Sequence, residues 1–236
     1  MLPGRAGQPD RQVIGYQGNT LAVEDVLLDA VAASVGTPCY VYSAGMIRAA
    51  WEAYDTAFAD LPHLVCYAVK ANSSRAVLEL LARLGSGFDI VSVGELERVL
   101  AAGVPAGRVV FAGVGKSEAE IDRALAAGVR HLNVESLPEL ERIARVATHR
   151  QVRAPVGLRV NPEVDPQTHP YIATGLKEAK FGLSMADVAA AGELIRTTPA
   201  LELVSLGCHI GSQLTRTAPF GDAVSRVVEL VDAWAA

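Results

Sequence analysis

Val65-Cys66-Tyr67-Ala68-Val69-Lys70-Ala71-Asn72 is an apolar run that carries one lysine and then breaks into the polar turn Asn72-Ser73-Ser74. An unpaired ammonium in the middle of a strand buried on both faces is costly, so the lysine belongs at the strand's carboxyl end. There it either snorkels to water along its alkyl stem or points into a cleft. In a cleft, loss of water favours the neutral, nucleophilic amine. The run alone leaves both readings open, and the residues around it decide.

Downstream, short apolar runs recur at intervals of twenty-odd residues: Val65–Lys70, Phe88–Val91, Arg108–Ala112, His131–Glu135 and Val156–Asn161, with a sixth at Leu203–Ile210. Amphipathic stretches lie between them. Arg75–Leu84 puts Val77, Leu80, Leu81 and Leu84 on one face, the spacing of a helix packed on a sheet. Ser117-x-x-Glu120 and Ser136-x-x-Glu139 predict capping boxes at two helix starts. Ala-Ala-Gly-Val at 101–104 and 126–129 predicts glycine C-caps. Further helices are predicted near Met185–Arg196 and Ala218–Trp234, the latter with Phe220, Val224, Val227, Val231 and Trp234 inward. A longer polar insertion runs from Asn161 to Lys180.

Strand and helix in strict alternation imply parallel strands and right-handed crossovers. An open doubly wound sheet and a (β/α)8 barrel both fit. The barrel fits better, because Lys70, Asp89, Glu135, Arg159, Asn161 and His209 all fall at strand carboxyl ends, where such barrels carry their chemistry. The fold class expected is therefore α/β, a parallel barrel of (β/α)8 type that is incomplete, with six of its eight units.

Upstream the pattern differs. Residues 1–20 read as an exposed leader or edge strand, Leu21–Ala33 as a helix, Thr37–Tyr42 as a β-type run opened by Pro38, and Ala44–Phe58 as a helix. This divides the chain into an N-terminal segment, 1–43, and a barrel portion, 44–236.

The 236 residues are half hydrophobic and carry a net charge of −5, which gives no reason to expect nucleic acid or an anionic membrane as partner. No apolar stretch is long enough to cross a bilayer. The N-terminus lacks a secretory apolar core. Cys39, Cys66 and Cys208 fit neither a disulfide framework nor a zinc site, so no metal is expected and a reducing cytoplasm is the expected compartment. His63, His131 and His149 have no partners at ligand spacing and read as surface or loop residues.

Four segments resemble one family. Tyr67–Asn72 is similar to the pyridoxal-phosphate attachment motif of the alanine-racemase-like, fold type III decarboxylases. Gly87–Leu96 resembles their second-strand motif and His209-Ile210-Gly211-Ser212-Gln213 their sixth-strand motif. Asn161-Pro162, Thr168–Gly175 and Lys180-Phe181-Gly182 resemble the diaminopimelate decarboxylases rather than those acting on ornithine or arginine. The resemblance implies a pyridoxal-phosphate-dependent carboxy-lyase that converts meso-2,6-diaminopimelate to L-lysine and CO2 for lysine biosynthesis. It implies Lys70 as the cofactor attachment residue, Asp89 beside its nitrogen, His209 stacked on the cofactor ring and Ser212 on its phosphate. Lys70, Asp89 and His209 are the implied catalytic residues. Arg159 is implied near the cofactor, with a structural ion pair as its alternative, and a turn or helix N-cap is the alternative for Asp89. Ser92 and Glu95 read as structural, Val93 replaces a glycine of many relatives, and His169 is either a substrate-side or an ordinary loop residue.

The family pattern continues past position 236 with a glycine-rich phosphate loop, an acidic partner for the ring nitrogen, Cys and Tyr residues near the substrate, and a β-domain. The chain is thus expected to be an N-terminal fragment, poorly soluble or inactive in isolation, from a protein that is a homodimer at full length. Two other functions stay open here: another basic amino-acid decarboxylase or racemase, and a non-catalytic barrel protein that carries the cofactor.

Overall fold

Each strand of the repeat pairs with the next one along the chain. The structure, a computed structural model, describes residues 13–162, 181–212 and 214–235. The Thr168–Gly175 stretch, His169, Lys180 and Gln213 lie outside the described residues. Contacts divide the chain into two units: the part up to Val65 with Arg83–Gly85, and Cys66–Ala82 with the chain from Ser86 onward.

In the first unit, β1 (Ile14–Gln17), β2 (Thr20–Val23) and β3 (Val26–Leu27) form an antiparallel sheet, followed by helices α1 (Leu28–Val35) and α2 (Ala44–Ala57). The helix expected over Leu21–Ala33 therefore begins only at Leu28. Val23 pairs directly with Val26, which makes Glu24-Asp25 a two-residue hairpin turn with Glu24 at φ 55°. The acidic pair that suggested a helix start serves a different helix. Glu24 Oε1 accepts from the Gly45 N–H at 2.7 Å and from the Ser43 hydroxyl, while Ser43 Oγ accepts from the Met46 N–H at 2.9 Å. Thr37–Tyr42 is irregular and exposed instead of forming a strand.

The second unit holds six parallel strands in the order of the sequence: β4 (Cys66–Ala68), β5 (Gly87–Ile90), β6 (Val109–Phe111), β7 (His131–Val134), β8 (Ala154–Arg159) and β9 (Leu201–Gly207). A doubly wound sheet reverses its strand order at a switch point; this sheet never does, which is the order of a barrel wall. Helices α3 (Arg75–Leu84), α4 (Val93–Ala101), α5 (Glu118–Ala127), α6 (Leu137–Arg150), α7 (Met185–Thr197) and α8 (Ala218–Ala235) follow the strands. Phe88, Phe111, Leu96, Ile121, Leu140 and Ile143 are fully buried. Each such side chain stabilises the fold by about 1.5–3 kcal/mol relative to exposure.

The caps mostly follow the spacing. Ser117 and Glu120 form a full capping box, and Gly103 and Gly128 sit at φ 80° and 75°. At α6 only half of the expected box forms. Ser136 Oγ accepts from the Glu139 N–H, but the Glu139 carboxylate turns to the Glu135 N–H at 2.8 Å and to Lys116 Nζ at 3.1 Å. In α8 the inward stripe is Pro219, Ala223, Val227, Leu230 and Trp234, whereas Phe220, Val224 and Val231 are exposed. That helix is apolar on more than one face, so periodicity could not select the buried one. His131 is also not a surface residue: it is buried at the start of β7, where burial and Arg130 lower its proton affinity against a hydrogen bond to Asn133.

Gly113, two residues beyond β6, packs against the chain leaving β5. A Cβ there would stand 2.4 Å from the Val91 carbonyl oxygen, a backbone atom that cannot turn aside. Gly113→Ala is expected to destabilise the chain by about 1–3 kcal/mol in denaturant unfolding. Gly221→Ala, on a helical glycine with nothing within 4 Å, is expected to be neutral or slightly stabilising in the same assay.

Candidate functional site

Because the strands are parallel and in order, their carboxyl ends share one rim, and a cavity of about 330 Å³ opens there. Lys70, Asp89, Glu135, Arg159 and His209 all line it, with Cys66, Val91, Val110, Ala112, Asn133, Gly207 and Cys208. Five of the six residues placed at strand ends in the sequence thus converge. Asn161 is not in the lining; it is buried, and its Nδ2 reaches toward the Gly182 carbonyl at 3.5 Å. Ser212 is exposed and also outside the lining.

Strand β4 ends at Ala68, and Lys70 sits in the single 3-10 turn Val69–Ala71 that follows. Val69 anchors that turn in the core while Lys70 stays exposed. Leaving the strand for this turn keeps Lys70 on the cavity wall yet open to water, not enclosed in a dry cleft. Tyr67 Oη donates to the Asn72 carbonyl at 3.1 Å and closes the turn.

Asp89 is the third residue of β5, neither a turn residue nor a helix cap; Ser92 caps α4 by accepting the Glu95 N–H. Glu95 Oε2 accepts from the Val91 N–H at 2.8 Å, in line with the structural reading of both residues. Asp89 Oδ1 is buried with no hydrogen-bond partner among the described residues. Burial pushes its carboxyl up to about 6, against the pull of Lys70 and Arg159 and with the help of Glu95 and Glu135.

Arg159 closes β8 and donates through one nitrogen to both Glu135 oxygens, at 3.0 and 3.2 Å. The Glu135 side chain is 3% exposed and that of Arg159 is 17% exposed, so the pair is shielded yet still faces the cavity. The guanidinium also lies 5.8 Å from the centroid of the Phe181 ring. Arg159 thus forms an ion pair and lines the cavity in one geometry.

His209 follows β9, and its Nδ1 accepts the Gly211 N–H at 3.0 Å. A ring nitrogen that accepts carries no proton, so the imidazole is neutral with its hydrogen on Nε2. Burial lowers its proton affinity, and the positive charges of Arg159 and Lys70 lower it further. Burial raises the Cys66 thiol to about 11, with Asp89 adding to the rise, so that thiol is no nucleophile near neutrality.

Sequence reasoning missed Asn133, Cys66 and Cys208 as cavity residues. The signal was present in the period-2 alternation, which puts Asn133 on the same strand face as Glu135, and Cys66 on the face of Ala68, which pairs with Asp89. It missed the buried Lys116–Glu139 pair altogether.

The sequence pattern of the family described as "Pyridoxal-dependent decarboxylase, pyridoxal binding domain" matches residues 44–236. A diaminopimelate decarboxylase of Vibrio cholerae is 54% identical over 212 residues, 90% of this chain and 51% of that protein. One from Pseudomonas aeruginosa is 55% identical over 217 residues, 92% of this chain and 52% of that protein. The chain therefore spans about half the length of the curated relatives it matches. Among solved structures, the Helicobacter pylori diaminopimelate decarboxylase complexed with L-lysine aligns at a TM-score of 0.83 with 41% identity, covering 88% of this chain and 54% of that one. The diaminopimelate decarboxylase from M. jannaschii, in co-complex with L-lysine, aligns at a TM-score of 0.86 with 35% identity, covering 93% of this chain and 52% of that one. The family match, the strand order of a barrel wall and the rim cavity agree, and the chain belongs to the pyridoxal-dependent decarboxylases, in the pyridoxal-binding domain of that family.

Proposed function

We propose that the chain carries the pyridoxal-phosphate site of a carboxy-lyase acting on meso-2,6-diaminopimelate, with L-lysine and CO2 as products, in lysine biosynthesis. The observation that carries this reading is the convergence of Lys70, Asp89, Arg159 and His209 on one cavity. The substrate is supported by identity above one half to two diaminopimelate decarboxylases. A cytoplasmic setting is supported by three cysteines with no disulfide and by the absence, among the described residues, of a helix long and apolar enough to cross a membrane. Assembly as a homodimer rests on the family resemblance.

The residues fit the cofactor. The cavity falls at the small end of the range for small-molecule sites. Its wall offers a primary amine for a carbonyl carbon, an imidazole for a flat ring, and the unpaired Asp89 Oδ1 for a polar group or a proton. When bound, pyridoxal phosphate supplies an electron sink for the electron pair left behind as CO2 departs.

The chain supplies the rest. Lys70 would hold the cofactor covalently through Nζ, and its exposed position leaves that atom open to an incoming substrate. Asp89, poised near 6, holds or releases a proton beside that nitrogen close to neutral pH. His209, neutral and fixed by Gly211, offers a flat face without adding a second positive charge. Arg159, tied to Glu135, supplies a positive charge whose position does not drift. Ser212 would donate its hydroxyl to the phosphate, with Gly211 at φ 126° allowing close backbone approach.

Borohydride reduction of the protein loaded with pyridoxal phosphate is expected to fix the cofactor's mass on the peptide containing Lys70. Lys70→Ala should give no adduct and no decarboxylation. Adduct on another lysine would remove Lys70 from its role. Given to the full-length protein, a panel of meso-diaminopimelate, ornithine, arginine and L-lysine should release CO2 from the first alone; release from another member at comparable kcat/KM would overturn the substrate assignment.

Asp89 also affects stability. Its raised proton affinity means the folded chain holds a proton that the unfolded chain releases between the ordinary value of 3.8 and about 6. Stability therefore falls as pH rises through that window, and the penalty is complete above it. Asp89→Asn removes the penalty. The variant should melt higher than its parent at pH 7–8, and the advantage should vanish below about pH 4, by thermal unfolding across that range.

A further inference from the structure

Among the described residues, the most deeply buried charged pair lies outside the cavity. Lys116, just beyond β6, has a side chain with 0% exposure, and its partner Glu139, in the first turn of α6, has 3%. Burial lowers the proton affinity of the Lys116 amine, and the Glu139 charge opposes that effect. Two charges removed from water at this depth are weak evidence of a stabilising device, since an apolar pair of similar volume does as well or better. What the pair touches explains it better.

Lys116 Nζ donates to the Asn133 backbone carbonyl at 2.5 Å as well as to Glu139 Oε1 at 3.1 Å. Glu139 Oε2 accepts from the Glu135 N–H at 2.8 Å. The pair thus grips the end of β7 at two points, the carbonyl of one cavity residue and the amide of another. Phe111 completes the enclosure, its ring centroid 5.5 Å from Nζ. From there the chain of contacts continues through the Glu135 carboxylate to Arg159 in the cavity.

We propose that Lys116 and Glu139 are positioning residues of the site: by clamping the backbone of Asn133 and Glu135 they hold Glu135 where it keeps Arg159 fixed across the cavity. The inference rests on the cofactor reading for its consequence, while the clamp itself stands on the contacts above. It also explains why the second capping box is only half formed: the carboxylate that would have closed it is engaged in the clamp.

The test is a double-mutant cycle between the clamp and Arg159. Lys116→Met/Glu139→Leu removes both charges while keeping the volume filled, and thermal unfolding checks that the fold is retained. Where that pair fails to fold, Glu139→Gln takes its place, since it keeps the size but turns an amide toward groups that are themselves donors. In the parent background the replacement should weaken pyridoxal-phosphate binding by about tenfold, read by absorbance titration of the apoprotein, and in an Arg159→Met background by less than about twofold. A merely structural role would give equal losses in both backgrounds, and that result, or no loss in the parent, would overturn the proposal. The same cycle read by the alkylation rate of Cys208, resolved by peptide mass, needs no cofactor. Burial raises the Cys208 thiol and the Arg159 charge opposes that rise, so the clamp replacement should change the rate in the parent and not in Arg159→Met. A parent that binds no pyridoxal phosphate would remove the functional reading, and the Cys208 cycle would still decide the clamp, with equal changes in both backgrounds counting against it.

Discussion

Parallel pairing in sequence order is the constraint on which the rest of the cofactor-binding unit depends. With β4 to β9 all pointing one way, every strand delivers its last residues to the same rim, however far apart those residues lie in the chain. Lys70 follows the first strand of that unit and His209 the last, and both line one cavity. The pleat then sorts each strand into two faces. On β7, Leu132 and Val134 go to the helical layer and are fully buried there, while Asn133 and the following Glu135 go to the cavity. One alternation supplies both the core and the site.

This constraint is also why so much could be read beforehand. A lysine, an aspartate and a histidine, each breaking an apolar run near its carboxyl end, can only gather if the runs are parallel neighbours, and the helices between them required that. What resisted reading was whatever depended on a partner distant in sequence. The half box at α6 looked complete because Ser136 and Glu139 have the right spacing; nothing local says that Lys116 competes for the carboxylate. Leu21–Ala33 has helical spacing, but Glu24 is taken by Ser43 and Gly45, and a two-residue hairpin forms instead. In α8 both candidate stripes satisfy the period, and only the position of Ile210 and Cys208 beside Ala223 chooses between them. A histidine with no ligand partners suggests an exposed residue, but the strand position of His131, opposite in face to Leu132, puts it inside.

The chemistry of the rim turns on how the Arg159 charge is shared. Arg159 is engaged directly by Glu135 and acts on Asp89 only through space. Were the guanidinium to leave Glu135 and pair with Asp89, the aspartate would gain a full counter-charge and fall back toward the ordinary carboxylate range. Glu135 would meanwhile become a buried anion without its partner, which is costly enough to make the exchange unfavourable. Burial therefore holds Asp89 up to about 6, and Arg159, already paired with Glu135, opposes that rise only through space.

That arrangement holds only while Glu135 stays in place, and a side chain at a strand end is ordinarily free to shift with the loop that follows it. Here the loop's first amide is bound by Glu139, and the carbonyl two residues earlier by Lys116. Both members of that pair come from outside β7, one from the loop that follows β6 and one from the first turn of α6, so the strand end is held from two sides at once. The poised carboxyl of Asp89, the fixed cation of Arg159 and the buried ion pair behind them then form one connected system, in which the buried pair's contribution is geometry at the rim rather than net stability of the fold.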